Sequence, residues 1–151
     1  MKSQPPLDAL DSLLAALAEF RFEIRTFLHF SECAAQEAGL HPQQHQLLLQ
    51  VAAAPKGTAV TIAYAAERLG LKHNSAVELV DRSEREGLLA RTEDSTDKRR
   101  AILQVTGKGK HLLGLLTESH ARELHELGPR LAQVLKRISV HAESASGAEN
   151  Q

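Results

Sequence analysis

The chain has 151 residues, 42% of them in the AVILMFWYC set and 25% charged, with a formal net charge of -1. That size and composition suit one domain with a modest core, and exclude a disordered chain, a collagen-like repeat and a cysteine-stapled secreted module. Near-neutral net charge excludes a uniformly basic, histone-like molecule but leaves room for a local basic footprint.

One cysteine, Cys33, permits neither an internal disulfide nor a thiolate metal cage. The first twelve residues lack an unbroken apolar run and acquire Asp8 and Asp11, so no signal peptide is expected. No apolar cluster approaches the ~18 residues that a membrane span requires. A cytoplasmic protein without membrane contact is expected.

Residues 1–6, with Pro5 and Pro6, read as a disordered N-terminus. Leu7, Leu10, Leu14, Leu17, Ile24 and Leu28 then recur at helical spacing, giving a long helix over 7–33 that can continue to Glu37. Leu13, Phe22, Phe27 and Phe30 lie off that stripe, so the helix should touch more than one partner. Pro42 opens a second helix to about Ala53, in a place where its missing N–H costs nothing. Thr61 is a plausible cap for a short helix, Ile62 to Leu69. Gly70 then gives a tight turn into a helix from Lys72–Ser75 to about Glu86, and the pair has a helix-turn-helix signature.

Gly87 stops that helix. Residues 88–92 and 101–106 are strand candidates joined by the polar stretch 93–100, which makes a two-stranded ribbon with a charged tip. Two strands alone are marginal, so the ribbon must pack against helices. Thr106 can cap a helix over about 108–127. Gly128-Pro129 is expected to break the chain before a last helix to about Val140, and residues 141–151 read as a flexible tail. The fold class is therefore mainly α: a winged helix-turn-helix over 38–107, with a two-stranded wing, between an N-terminal helix (7–37) and C-terminal helices (108–140). A first helix of some 27 residues is about 40 Å long at ~1.5 Å per residue. Its apolar ends are most simply buried against a symmetry mate.

Residues 39–110 resemble the MarR family of winged helix-turn-helix transcription regulators. The resemblance begins with Gly39-Leu40-His41-Pro42-Gln43-Gln44 and Leu47-Leu48, and continues through Ala65-Ala66-Glu67-Arg68-Leu69-Gly70-Leu71. Its strongest piece runs from Leu79 to Arg91 (LVDRSEREGLLAR), followed by Asp94 to Arg100 (DSTDKRR), Leu103 and Val105-Thr106-Gly107-Lys108-Gly109. The resemblance implies a homodimer joined by the terminal helices. Such a dimer binds pseudo-palindromic double-stranded promoter DNA, often as a repressor released by a small molecule.

In that setting the helix from His73 enters the major groove, and its N-terminal residues face base edges. Lys72, His73, Asn74 and Ser75 are the polar group there. Asn74 either reads adenine or caps the helix, and His73 is either a DNA contact or a solvated turn residue. Glu78 is an acid where relatives often carry a base or a small polar residue. It either accepts from a cytosine amino group or sits just off the DNA. The resemblance ties Arg82 to Asp97, a pair that would position the wing. Lys98, Arg99 and Arg100 form the basic side of the wing, with Arg99 the implied contact to backbone or minor groove. Thr96 replaces a residue often basic in relatives, which implies a weaker grip. Charge is distributed accordingly: residues 88–110 hold six bases against three acids, whereas residues 1–40 hold three against six.

The resemblance also implies an effector pocket for a small aromatic or phenolic molecule, for which Phe20, Arg25, Phe27, His29, Phe30, His45 and Tyr64 are candidates. His41 and His45 have a metal-compatible spacing but lack a third ligand, so ordinary roles are expected and no metal or cofactor. Cys33 has no basic neighbour in sequence to lower its pKa and reads as a structural thiol. No phosphate loop, nucleophile elbow or HExxH is present, so no enzyme is expected. The alternative is a dimeric winged-helix module that binds protein or small molecules without operator DNA.

Overall fold

The computed structural model describes residues 7–148. The expected disorder of 1–6 and the last three residues of the expected tail lie outside them. The element order is α1 (Leu7–Glu37), α2 (Pro42–Ala52), α3 (Ile62–Leu69), α4 (His73–Arg85), β1 (Leu89–Glu93), β2 (Ala101–Val105) and α5 (Gly107–Ala148). The chain divides into two compact units. One comprises Glu32–Ser119, and the other the N-terminal part to Ser31 together with the part from His120 onward.

The 32–119 unit contains the helix-turn-helix and the wing. Its core joins Leu47, Leu48 and Val51 of α2, Ala65 of α3, Leu79 and Val80 of α4, Leu88, Leu89, Leu103 and Val105 of the ribbon, and Leu113 and Leu116 of α5. Full burial of a leucine side chain contributes roughly 1.5–3 kcal/mol, so this leucine cluster is the main source of cohesion.

Local signals set the ends of the helices. His41 caps α2: its Nδ1 accepts from the Gln43 N–H at 3.2 Å, while the Gln44 side chain accepts from the His41 N–H at 3.0 Å. Thr61 caps α3 by accepting from the Tyr64 N–H. On either side of α4, Gly70 and Gly87 take φ values of 63° and 73°, a left-handed conformation that glycine adopts without steric cost. The following Leu71 and Leu88 amides donate back to Ala66 and Ser83 at 2.9 Å, which closes α3 and α4.

β1 and β2 pair antiparallel from Leu89↔Val105 to Glu93↔Ala101. The ribbon is tied to the helices at its base. The Leu103 amide donates to the Val60 carbonyl at 2.8 Å, and the Thr106 hydroxyl donates to the Gly87 carbonyl at 2.6 Å. Thr106 also caps α5, accepting from the Gly109 N–H.

In the other unit, residues 7–31 of α1 and 120–148 of α5 run antiparallel. Three polar cross-links fix their register: Ser12–His141 at 3.2 Å, Glu23–Arg130 at 3.1 Å and Ser31–His120 at 2.7 Å. Ala16, Leu127 and Val134 are buried here, whereas Leu14, Leu17, Phe22, Leu28, Leu124, Leu135 and Val140 are exposed.

Two expectations are corrected. Gly128-Pro129 does not break the chain: α5 is one helix of 42 residues with Pro129 inside it. Proline removes one backbone hydrogen bond, to the carbonyl four residues earlier. Pro129 is exposed, so that carbonyl can turn to water while Leu127 and Val134 stay buried on either side. Residues 141–148 are not a loose tail either, since α5 continues through them to Ala148.

Gly109 lies where α5 starts against the ribbon. A Cβ there would fall inside the van der Waals shell of the Leu88 carbonyl oxygen and of Val105. Gly109→Ala should therefore destabilise the protein by about 1–3 kcal/mol, as overpacking does. Gly114, which has open space around its Cβ position, should instead gain about 1 kcal/mol on the same substitution. Urea unfolding of the two variants checks both signs.

Candidate nucleic-acid interface

α4 buries Ala76, Leu79, Val80 and Ser83. At about 100° per residue, Asn74, Glu78, Asp81 and Arg85 are then placed on the side opposite that buried face. Lys72, His73, Asn74, Ser75 and Glu78 are all exposed. Lys72 is the N-cap residue, and no side chain makes a cap hydrogen bond at this end. Asn74 therefore lies exposed within the first turn of α4 and does not cap it.

The expected Arg82–Asp97 pair is not what forms. Arg82 Nε donates to Glu86 at 3.2 Å, one helical turn along, and Asp97 accepts from the Arg99 amide at 3.0 Å and from Arg99 Nε at 3.3 Å. Each side chain takes a partner close in sequence, which needs less ordering of long side chains than a bridge across elements. The link between wing and α4 comes instead from Arg91 on β1, which bonds Asp81 and pairs with Glu84 at 3.4 Å. Sequence reasoning missed Arg91. The available signal was the three-residue spacing of Asp81 and Glu84, two acids with no base at the expected wing partner.

Glu86 is held by two donors, Gln44 Nε2 at 2.8 Å and Arg82 Nε. The Gln44 bond, followed by the Arg82 bond, keeps its carboxyl below the ordinary range. Lys108 Nζ donates to the Glu86 carbonyl at 2.9 Å, so the α4–ribbon junction is bound from both sides.

At the wing tip, Asp94 is buried and organises the turn. Its Oδ1 accepts from the Thr96 amide at 2.9 Å and the Thr96 hydroxyl at 2.7 Å, and its Oδ2 accepts from Arg100 Nε at 2.7 Å. Thr96 is thus a structural part of the tip. The three wing bases differ in availability. Arg99 has a side chain 92% exposed, Lys98 is exposed, and Arg100 has a side chain 47% exposed and is drawn toward Asp94. Arg99 and Lys98 are the cations best placed to reach outward.

The candidate effector residues fall in both units. In the unit built from the chain's two ends, Phe27 and Phe30 meet the His120 ring edge-on, with centroids 5.9 and 5.4 Å away. Phe20 is half-buried on the same helix, and Arg25 and His29 are exposed there. In the 32–119 unit, His45 is buried in α2 and Tyr64 packs against the leucine core. Among the described residues, no group of three or more His, Cys, Asp or Glu side chains is placed to hold a metal, and no helix is long and apolar enough to cross a membrane.

The Thr96 bonds, and after them Arg100, hold the Asp94 carboxyl down to about 2. A depressed carboxyl stabilises the fold above its unfolded value near 3.8, and that stabilisation is lost as pH falls toward 2. NMR titration should show Asp94 charged at pH 3, with the wing-tip amides shifting only below that; a midpoint near 4 would contradict the turn geometry. Arg91→Ala should lower stability by up to about 1 kcal/mol, with a double-mutant cycle showing coupling to Asp81. An Arg82–Asp97 cycle should show none.

Residues 38–100 match the MarR family model. No curated protein gave a significant sequence match. Among solved structures, AbsC, a MarR family transcriptional regulator from Streptomyces coelicolor, is similar with a TM-score of 0.68 at 16% identity, over 91% of this chain and 95% of AbsC. A mutant of MarR from E. coli complexed with operator DNA gives 0.65 at 16% identity, over 82% and 88%. CouR from Rhodococcus jostii bound to p-coumaroyl-CoA gives 0.58 at 21% identity, over 75% and 83%. The helix-turn-helix and the wing as far as Arg100 lie within the residues that match the MarR family model, and the fold of the chain is similar to those of AbsC, MarR and CouR.

Proposed function

We propose that the protein is a transcriptional regulator that binds pseudo-palindromic promoter DNA as a homodimer and acts as a ligand-responsive repressor. The observation that carries this reading is the outward row of α4, with Asn74 in its first turn, beside a wing whose Arg99 is almost fully exposed. α4 would lie in the major groove, with Lys72, His73, Asn74, Ser75 and Glu78 toward the bases. Lys98, Arg99 and Arg100 would lie toward the backbone or minor groove, with Arg100 the weakest contributor because Asp94 already engages it. The operator DNA held by the E. coli MarR mutant is in keeping with this.

Dimerisation is the use proposed for 7–37 and 108–140. Exposed Leu14, Leu17, Phe22, Leu28, Leu124, Leu135 and Val140 supply the apolar surface that a symmetry mate would cover. A small aromatic effector is the finer part of the proposal. CouR holds an aromatic thioester, and Phe27 and Phe30 offer ring surface of the matching kind in this chain. A second reading, an interaction module without operator binding, is favoured by Glu78, an acid on the presumed groove face.

A mobility-shift assay with the gene's own upstream DNA separates the two. Binding should weaken tenfold or more when salt is raised several-fold. Arg99→Ala should weaken binding to all sequences alike and leave the dimer intact by sedimentation. Absence of salt-sensitive binding, with and without removal of bound ligand, favours the interaction module.

A further inference from the structure

α4 and its C-cap carry four acids, and three of them are bound within the protein. Asp81 and Glu84 share Arg91, and Glu86 takes Gln44 and Arg82. Glu78 is the exception: it forms no hydrogen bond or ion pair among the described residues. Its ordinary helical partner would be Arg82, four residues on, but that guanidinium is turned to Glu86. Its neighbour three residues on is another acid, Asp81. Glu78 is exposed on the side of α4 opposite the buried face, one turn after the exposed, non-capping Asn74.

An uncompensated carboxylate among DNA phosphates is unfavourable unless it meets a hydrogen-bond donor. In the major groove, guanine presents N7 and O6 and thymine presents O4, all acceptors that repel a carboxylate. Adenine offers its N6 amino group, but with the N7 acceptor beside it. Cytosine offers the N4 amino group, and a carboxylate accepts from it directly. We propose that Glu78 is a specificity-determining residue that selects cytosine at one symmetry-related position in each half-site, adjacent to the position faced by Asn74. The inference rests on the DNA-binding reading above and adds to it the base that this side chain selects.

Selection from a random DNA pool, run with the full-length protein and with Glu78→Ala and Glu78→Gln, tests it. Glu78 has no hydrogen-bond or ion-pair partner among the described residues, so neither substitution removes such a contact there, and sedimentation and circular dichroism should be unchanged. The native protein should enrich cytosine at one position per half-site. Glu78→Ala should flatten that position alone. Glu78→Gln should turn it toward adenine, because a glutamine amide matches the N6/N7 pair. On a fixed site, exchanging that cytosine for guanine should weaken the native protein roughly 5- to 100-fold per half-site, and the alanine variant by little.

Two results overturn the proposal while leaving DNA binding in place. One is an alanine variant with the native sequence preference. The other is an alanine variant that binds every sequence more tightly by one factor, which makes Glu78 a repulsive charge beside the backbone. Native protein that shows neither sequence enrichment nor salt-sensitive binding removes the DNA-binding reading itself, and the role of Glu78 with it.

Discussion

Arg91 governs the electrostatics of the helix-turn-helix. It stands on β1 and engages two carboxylates of α4, Asp81 and Glu84. Without it, residues 72–87 would carry four acids against three bases. With it, two of those acids are compensated from the strand, and Arg82 and Gln44 take up a third. The same guanidinium joins the wing to the helix it flanks. Neutralising the helix and joining the wing to it are thus one interaction, and Glu78 is left as the acid of α4 without an ionic or hydrogen-bond partner among the described residues.

That link works because the core beneath it is leucine-rich and closed. Leu79 and Val80 of α4 pack with Leu88, Leu89 and Leu103 of the ribbon, while Leu47 and Leu48 of α2 fill the other side. Two buried polar groups at this junction are bonded: Ser83 donates back to the Leu79 carbonyl, and Gln44 donates to Glu86. A buried polar group without a partner costs more than a bonded one returns, so these satisfied groups hold one arrangement of α2 against α4. The exposed face of α4 is therefore set by a core that tolerates little movement.

The elements carried by short-range signals were legible in the sequence. Glycine followed by leucine at Gly70-Leu71 and Gly87-Leu88 marks both ends of the turn-helix segment, and Thr61 and Thr106 cap where a hydroxyl before a helix should. Two features were not legible, for different reasons. Pro129 reads as a breaker because its local cost is visible, while the packing of Leu127 and Val134 that outweighs it is long-range. The wing pair assigned to Arg82 and Asp97 failed because both residues have nearer partners, Glu86 and Arg99. Which base answers Asp81 and Glu84 depends on how β1 lies against α4, and spacing alone does not say.

The unit formed by the two ends of the chain differs in kind. Its antiparallel register is set by three polar cross-links, and its buried residues among those described are few: Ala16, Glu23, Ser31, Leu127 and Val134. Phe22 is 61% exposed and Leu14 is 55% exposed, a poor arrangement for a pair of helices standing alone in water. Polar cross-links specify how α1 meets α5 but contribute little net stability at partly exposed positions. The apolar surface left over is open to something that would cover it. Under the proposed function that something is a second copy. Two copies of the chain would bring two copies of α4, which is what reading two half-sites requires.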